Sequence, residues 1–217
     1  MNKSEKLWDK LSKYYDNETK RFDWLRIKII EKTKRYLKVS DTVLECGCGT
    51  GTITVEIANN AKEIHAFDIS AGMIDIAKEK AYKRKIENID FVQTTIFDER
   101  YKRESFNFVI VFNVLHLLED KQKVIKRIEE LLKPGGHFIS VTPCSGEKKK
   151  SLKTIFESIK MLMFLLTKIR MIPFKTLSKG MRFKIFELKD LISGENFQIV
   201  EAEKISEEHY FIVAMKK

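Results

Sequence analysis

The chain has 217 residues, enough for one α/β domain of ordinary size and a substantial core. Hydrophobic residues make up 43% and aromatics 11%, with only 9 Gly and 3 Pro, which excludes a disordered chain and leaves little for flexible linkers. The net charge of +10 suits nucleic acid, an anionic membrane or an acidic substrate, but lysine spread over exposed helix faces accounts for it equally well.

Residues 3 to 37 read as helices, with Leu7, Leu11, Tyr14 and Tyr15 on one face and Leu25, Ile29, Ile30 and Leu37 on another. Met1 to Glu18 lacks the apolar core of a signal sequence. Thr42 to Glu45 is a short β-rich run ending in a glycine-rich turn, and a helix starts near Thr50, carrying Ile53, Ile57 and Ala58. A second strand follows at Glu63 to Asp68, and Ser70 is placed to cap the next helix, which holds Met73, Ile74, Ile76 and Ala77. Strands three and four are expected at Ile89 to Gln93 and Phe106 to Asn113. The helix from Asp120 to Leu132 stops at Lys133-Pro134-Gly135-Gly136, and a fifth strand, His137 to Thr142, comes next.

This alternation means βαβ units and a parallel sheet with helices on both faces. The end differs: a helix near Glu187 to Ser193, then strands Phe197 to Ile205 and His209 to Met215 in an antiparallel hairpin. About 40 residues, Cys144 to Ile185, are too many for a plain connection. Leu152, Ile155, Phe156, Ile159, Leu162, Met163, Leu166 and Ile169 form one helical stripe there, and Met161, Phe164 and Leu165 widen it. We read residues 145 to 185 as a helical cap insertion and residues 1 to 38 as N-terminal helices, within a single domain spanning 1 to 217. Lys148 to Lys150 reads as solvated under the plain alternative, a helix packed on the sheet edge.

Three cysteines, Cys46, Cys48 and Cys144, are an odd number, which points to free thiols in a reducing cytoplasm. Cys46 and Cys48 stand two apart and no Cys/His pair completes a metal site. No stretch reaches about 18 apolar residues without charge, so no spanning helix is expected.

The strongest chemical signal is Val43-Leu44-Glu45-Cys46-Gly47-Cys48-Gly49-Thr50-Gly51, a G-x-G-x-G spacing between a strand and a helix. Glycine allows the sharp turn and lets backbone approach a ligand closely. A dinucleotide fingerprint would be G-x-G-x-x-G, with a pyrophosphate at the helix start. The segment resembles the first motif of class I S-adenosylmethionine (SAM)-dependent methyltransferases, most like the small-molecule branch that includes ubiquinone/menaquinone-biosynthesis enzymes. The likeness is good over residues 40 to 142. It implies a Rossmann-like, mostly parallel seven-stranded sheet with a C-terminal antiparallel hairpin, SAM as cofactor and S-adenosylhomocysteine as product. Glu45 is then placed for the cofactor's ammonium group, with Gly47, Gly49 and Gly51 around it. Asp68 matches the acid that accepts both ribose hydroxyls, with a helix cap as the competing reading of the residue alone.

The resemblance further implies cofactor contacts from Ile69 and Met73, from Thr95 and Ile96 at the adenine, and from Asn113 at the end of the fourth strand. Thr95 stands where the family has an aspartate, so the adenine amino group would meet an uncharged oxygen. Asn107 likewise replaces a common aspartate, and Leu131 to Phe138 resembles the family's turn into the fifth strand. Tyr15 is placed to close over the cofactor, with core packing as the competing reading.

Two motifs are informative by absence. The Asn/Asp-Pro-Pro-aromatic loop of amino-methylating enzymes is replaced by Asn113-Val114-Leu115-His116. Pro143-Cys144 follows the fifth strand rather than the fourth, the wrong place for a cytosine-C5 nucleophile. Methyl transfer from a sulfonium needs alignment and exclusion of water, with a general base only for a protonated acceptor. His116 is the best-placed base, against a packing or helix-start histidine. The expected function is methyl transfer to a small, lipophilic acceptor, with peripheral membrane contact left open. The alternatives are an RNA methyltransferase, motivated by charge but without an added RNA-binding domain or a stacking platform, and a SAM-binding protein without catalysis.

Overall fold

A computed structural model describes residues 3–144, 183–194 and 196–217. The chain runs α1 (Lys3–Thr19), a 3-10 turn (Lys20–Phe22), α2 (Asp23–Lys34), β1 (Thr42–Cys46), α3 (Thr54–Ile57), β2 (Glu63–Asp68), α4 (Ala71–Lys83), β3 (Ile89–Gln93), β4 (Phe106–Phe112), α5 (Lys121–Leu131) and β5 (Leu132–Pro143). It ends with α6 (Ile185–Ser193), β6 (Phe197–Lys204) and β7 (His209–Lys216).

The seven strands form one sheet in the order β3-β2-β1-β4-β5-β7-β6. Strands β1 to β5 are parallel, and β7 inserts antiparallel between β5 and β6. This is the Rossmann-like layout expected, with the C-terminal hairpin in place.

Alternation along each strand divides the core between two faces. Val43, Ile64, Phe108, Ile110 and Val213 pack with Leu25, Ile29, Val55 and Ile74, so α2, α3 and α4 cover one side. Leu44, Val109, Val111 and Ile212 pack with Ile125, Ile128, Leu188 and Ile192, so α5 and α6 cover the other. Each fully buried leucine or isoleucine here contributes about 1.5–3 kcal/mol relative to exposure.

Three of the boundaries that differ from the sequence reading bear on the site and the fifth strand. The helix expected near Thr50 narrows to Thr54–Ile57, because residues 47–51 are taken up by the loop and Ala58–Asn60 tightens to a 3-10 turn. The fifth strand begins at Leu132, not His137. Phe106 faces Leu132 and Phe108 faces His137, so Lys133 to Gly136 is a bulge inside the strand, with Gly135 at φ +73°. The fourth strand ends at Phe112, and Asn113 turns out of it at φ +57°.

Along α1, Leu7, Leu11 and Tyr15 of the expected apolar face are half-buried. Tyr14 is exposed, and Ser12 is the residue buried along this helix. The helix also presents Asp9, Ser12 and Asp16 to the domain. The cap insertion read at 145 to 185, including Phe164 and Leu165, lies outside the described residues up to 182. Its two ends do meet, since Cys144 and Phe183 form a parallel β-bridge.

Candidate cofactor site

In an open α/β sheet, ligands bind outside the carboxyl ends of the strands where strand order reverses. Here that point lies at β1, flanked by β2 on one side and β4 on the other. The loop after β1 folds back over β2: the N–H groups of Gly47 and Cys48 both donate to the Phe67 carbonyl, at 2.8 and 2.9 Å. Gly47, Gly49 and Gly51 have φ of +72°, +54° and +71°, a left-handed conformation that side chains rarely adopt. At Gly47 a Cβ would also lie 2.5 Å from Val114 Cγ2, so the loops after β1 and β4 touch.

Glu45, at the end of β1, is 3% exposed. Its Oε2 is buried without a hydrogen-bond partner, and so is Oδ1 of Asn113 at the end of β4. Burial pushes the Glu45 carboxyl up to about 7; the Thr54 hydroxyl opposes this in part, and the Asp68 charge adds to it. Asp68 ends β2, where Oδ2 accepts the Gly49 N–H at 3.0 Å and Oδ1 accepts the Ser70 N–H at 3.0 Å. Burial raises its carboxyl, against the pull of backbone donors from Ser70, Gly49 and Ile69.

The structure therefore brings Glu45, Gly47, Gly49, Asp68 and Asn113 to one edge. Tyr15 joins them from α1, its ring 3.9 Å from where a Gly49 Cβ would be. Burial raises the Tyr15 phenol, with the Asp68 and Asp16 charges adding. His116 sits in the 3-10 turn Leu115–Leu117 just past β4, half-buried. Ile69 is half-buried beside Asp68.

The remaining residues range from buried to exposed. Gly51 is pressed against α4, where a Cβ would lie 2.8 Å from Ala77 Cβ. Met73 is 2% exposed in the first turn of α4, its N–H donating to the Ser70 cap. Ile96 packs into the core with Phe67 and Tyr101. Thr95 is exposed, and its hydroxyl accepts the Phe97 N–H at 3.3 Å.

Sequence reasoning missed two acids on α1. Asp9 accepts from the Ser70 hydroxyl and from the Gly72 N–H at 3.1 Å, and Asp16 reaches the glycine-rich loop. The spacing of Asp9, Ser12 and Asp16 on one helical face was the available signal, hidden behind the more hydrophobic one. The three cysteines are buried free thiols; burial pushes Cys46 and Cys48 well above the ordinary thiol range and Cys144 up to about 11. Among the described residues no group of three or more His, Cys, Asp or Glu is placed to hold a metal.

The donor set tests which ligand fits. Two of the buried unpartnered atoms, Glu45 Oε2 and Asn113 Oδ1, are acceptors at this edge, and Asp68 stands nearby. A pyrophosphate would add negative charge to two carboxylates, whereas an ammonium group supplies the donors these atoms lack.

A family model for a methyltransferase domain matches residues 37–208. The chain belongs to this family, and its fold is that of the class I SAM-dependent methyltransferases, whose cofactor is SAM. A demethylmenaquinone methyltransferase of Lactococcus lactis is 26% identical, over 63% of this chain and 57% of that protein. The structure of a methyltransferase described as putative from Haloferax volcanii, in complex with the Trm112 activator, superposes with TM-score 0.72 at 14% identity, covering 96% of this chain and 97% of that one. A phosphoethanolamine N-methyltransferase of Haemonchus contortus, with S-adenosylhomocysteine bound, superposes with TM-score 0.66 at 18% identity, covering 89% and 53%. The chain spans well under two thirds of the length of several curated relatives it matches, such as 29% of a Caenorhabditis elegans phosphoethanolamine N-methyltransferase.

Proposed function

We propose that the protein transfers a methyl group from SAM to a small, lipophilic acceptor. The carrying observation is the pair of buried, unpartnered acceptors, Glu45 Oε2 and Asn113 Oδ1, beside a loop whose Gly47, Cys48 and Gly49 N–H groups already donate within the protein. SAM supplies a methyl already activated by its sulfonium. Glu45 and Asn113 receive the ammonium group, the Gly47–Gly51 loop lets backbone approach the methionyl part, and Asp68 accepts the ribose hydroxyls. Ile69, Thr95 and Ile96 flank the adenine, Met73 backs the site from α4, and Tyr15 covers it from α1. The residues' task is alignment and exclusion of water.

His116 is the candidate base for an acceptor that arrives protonated. His116→Ala then loses about a hundredfold or more of turnover while keeping its SAM affinity. The lipophilic acceptor is supported by the surplus apolar residues Met161, Phe164 and Leu165 in the sequence of the insertion and by the demethylmenaquinone methyltransferase relative. Among the described residues no helix is long and apolar enough to cross a membrane.

The deciding experiment incubates the protein with methyl-labelled SAM and a panel of acceptors, following label and S-adenosylhomocysteine. Label in a small apolar molecule supports the reading. Label in RNA favours the nucleic-acid alternative, and tight SAM binding with no transfer to any acceptor favours a non-catalytic SAM-binding protein.

A further inference from the structure

The inner helices of this fold attach through apolar side chains. Val124, Ile125, Ile128 and Leu131 are buried on α5, and Met73, Ile74, Ala77 and Ala81 on α4. Helix α1 attaches differently, through Asp9, Ser12 and Asp16, spaced i, i+3 and i+7 on one face.

At its far end, Asp16 closes a ring of four side chains. Its Oδ1 accepts from the Thr50 hydroxyl at 2.6 Å and the Thr52 hydroxyl at 3.3 Å, while its Oδ2 pairs with Lys80 Nζ at 2.6 Å. Lys80, on α4, donates in turn to Thr50 at 3.0 Å and Thr52 at 2.6 Å. Each hydroxyl thus donates once to the acid and accepts once from the ammonium. Thr50 is 2% exposed and lies inside the glycine-rich loop. Burial pushes the Asp16 carboxyl up, but hydrogen bonds from Lys80 and Thr50 and the Lys80 charge outweigh it, so the acid stays ionised.

At the near end, Asp9 holds the Ser70 hydroxyl and the Gly72 N–H at the start of α4. The helices approach so closely there that a Cβ on Gly72 would lie 2.7 Å from Ser12 Oγ. Tyr15 lies between the two anchors, over Gly49 and next to Asp68. One anchor therefore ends on the loop after β1, the other on the cap after β2, and the cofactor position lies between them.

We propose that Asp16 is a positioning residue which, with Lys80, clips α1 onto the glycine-rich loop as a detachable strap that controls cofactor capture and release. This rests on the assignment of the site to SAM. Lifting α1 uncovers the half-buried Leu7, Trp8, Leu11 and Tyr15 but no fully buried apolar side chain, and the freed polar groups can be satisfied by water, so opening requires no unfolding of the sheet.

The test measures SAM and S-adenosylhomocysteine dissociation by stopped flow on the full chain, for wild type, Asp16→Asn, Lys80→Met and the double variant. Melting temperatures and amide exchange of α1 are recorded in parallel. We expect dissociation about tenfold faster in either single variant. The double variant should be no faster than the quicker single one, because both break the same ring. SAM should slow amide exchange across α1 in the wild type but not in Asp16→Asn, with melting temperature unchanged in the ligand-free proteins. Unchanged dissociation in both single variants overturns the proposal. So does a loss of affinity that tracks a fall in ligand-free melting temperature, since the ring would then be structural. A wild type that binds no SAM would instead remove the cofactor assignment itself.

Discussion

The Asp68 carboxylate accepts the backbone N–H of Gly49 at 3.0 Å, so the acid that ends one strand also fixes the loop that follows its neighbour. Its other oxygen is engaged by the Ser70 N–H. Lone pairs remain on both oxygens for ribose hydroxyls. Asp68→Ala should weaken SAM binding by about 2–4 kcal/mol, through lost charge-assisted hydrogen bonds and a loosened loop. Asp68→Asn, which keeps one acceptor, should fall between. Titration calorimetry decides it, and unchanged affinity in the alanine variant would remove Asp68 from the ribose.

Glu45 makes cofactor binding and stability respond to pH in opposite directions. Its carboxyl stands at about 7 in the ligand-free fold against 4.5 when unperturbed. Between those values the folded protein holds the proton more tightly than the unfolded chain, so stability declines as pH rises through that window, by up to about 3 kcal/mol, and is level above it. An ammonium ligand favours the ionised form. SAM affinity should therefore climb from about pH 5.5 to 7.5, with proton release near the lower end. Calorimetry in two buffers of different ionisation enthalpy reads this directly. Glu45→Gln should bind weakly and without that pH dependence.

Gly47 is required twice over, by its φ of +72° and by Val114 2.5 Å from where a Cβ would stand. Gly47→Ala should cost at least about 2 kcal/mol. Adding Val114→Ala should recover the crowding part and leave the backbone part. Chemical denaturation of the two variants separates them; full recovery would show that the backbone conformation costs nothing.

The orphaned acceptors should also decide between cofactors. In a thermal-shift experiment SAM and S-adenosylhomocysteine should raise the melting temperature and NAD should not. Stabilisation by NAD alone would mean that the loop accommodates a pyrophosphate after all.

Most of the sheet was legible because strand period, helix period and turn residues agree along residues 42 to 142. Where two signals compete, the reading slipped. Lys133-Pro134-Gly135-Gly136 has the composition of a helix stop, and it is one, but the same residues bulge within β5 because Leu132 already pairs with Phe106. The loop acids were legible because Glu45 and Asp68 end strands whose periodicity is clear. Asp9 and Asp16 were not, since periodicity ranks faces by hydrophobicity and these acids dock beside the apolar stripe of α1 rather than on it. Long-range partners such as Lys80 carry no local signature at all.

The bridge between Cys144 and Phe183 joins the two ends of a long excursion at a single step beside β5. To the rest of the sheet, that junction looks the same whatever lies between the two residues, and closing a longer loop adds little entropic cost. On the proposed reading, the residues between these two positions serve the acceptor and the sheet serves the cofactor. Grafting a different segment between these two positions should alter which acceptor is chosen and leave the cofactor half intact, a route by which one scaffold can change customers without being rebuilt.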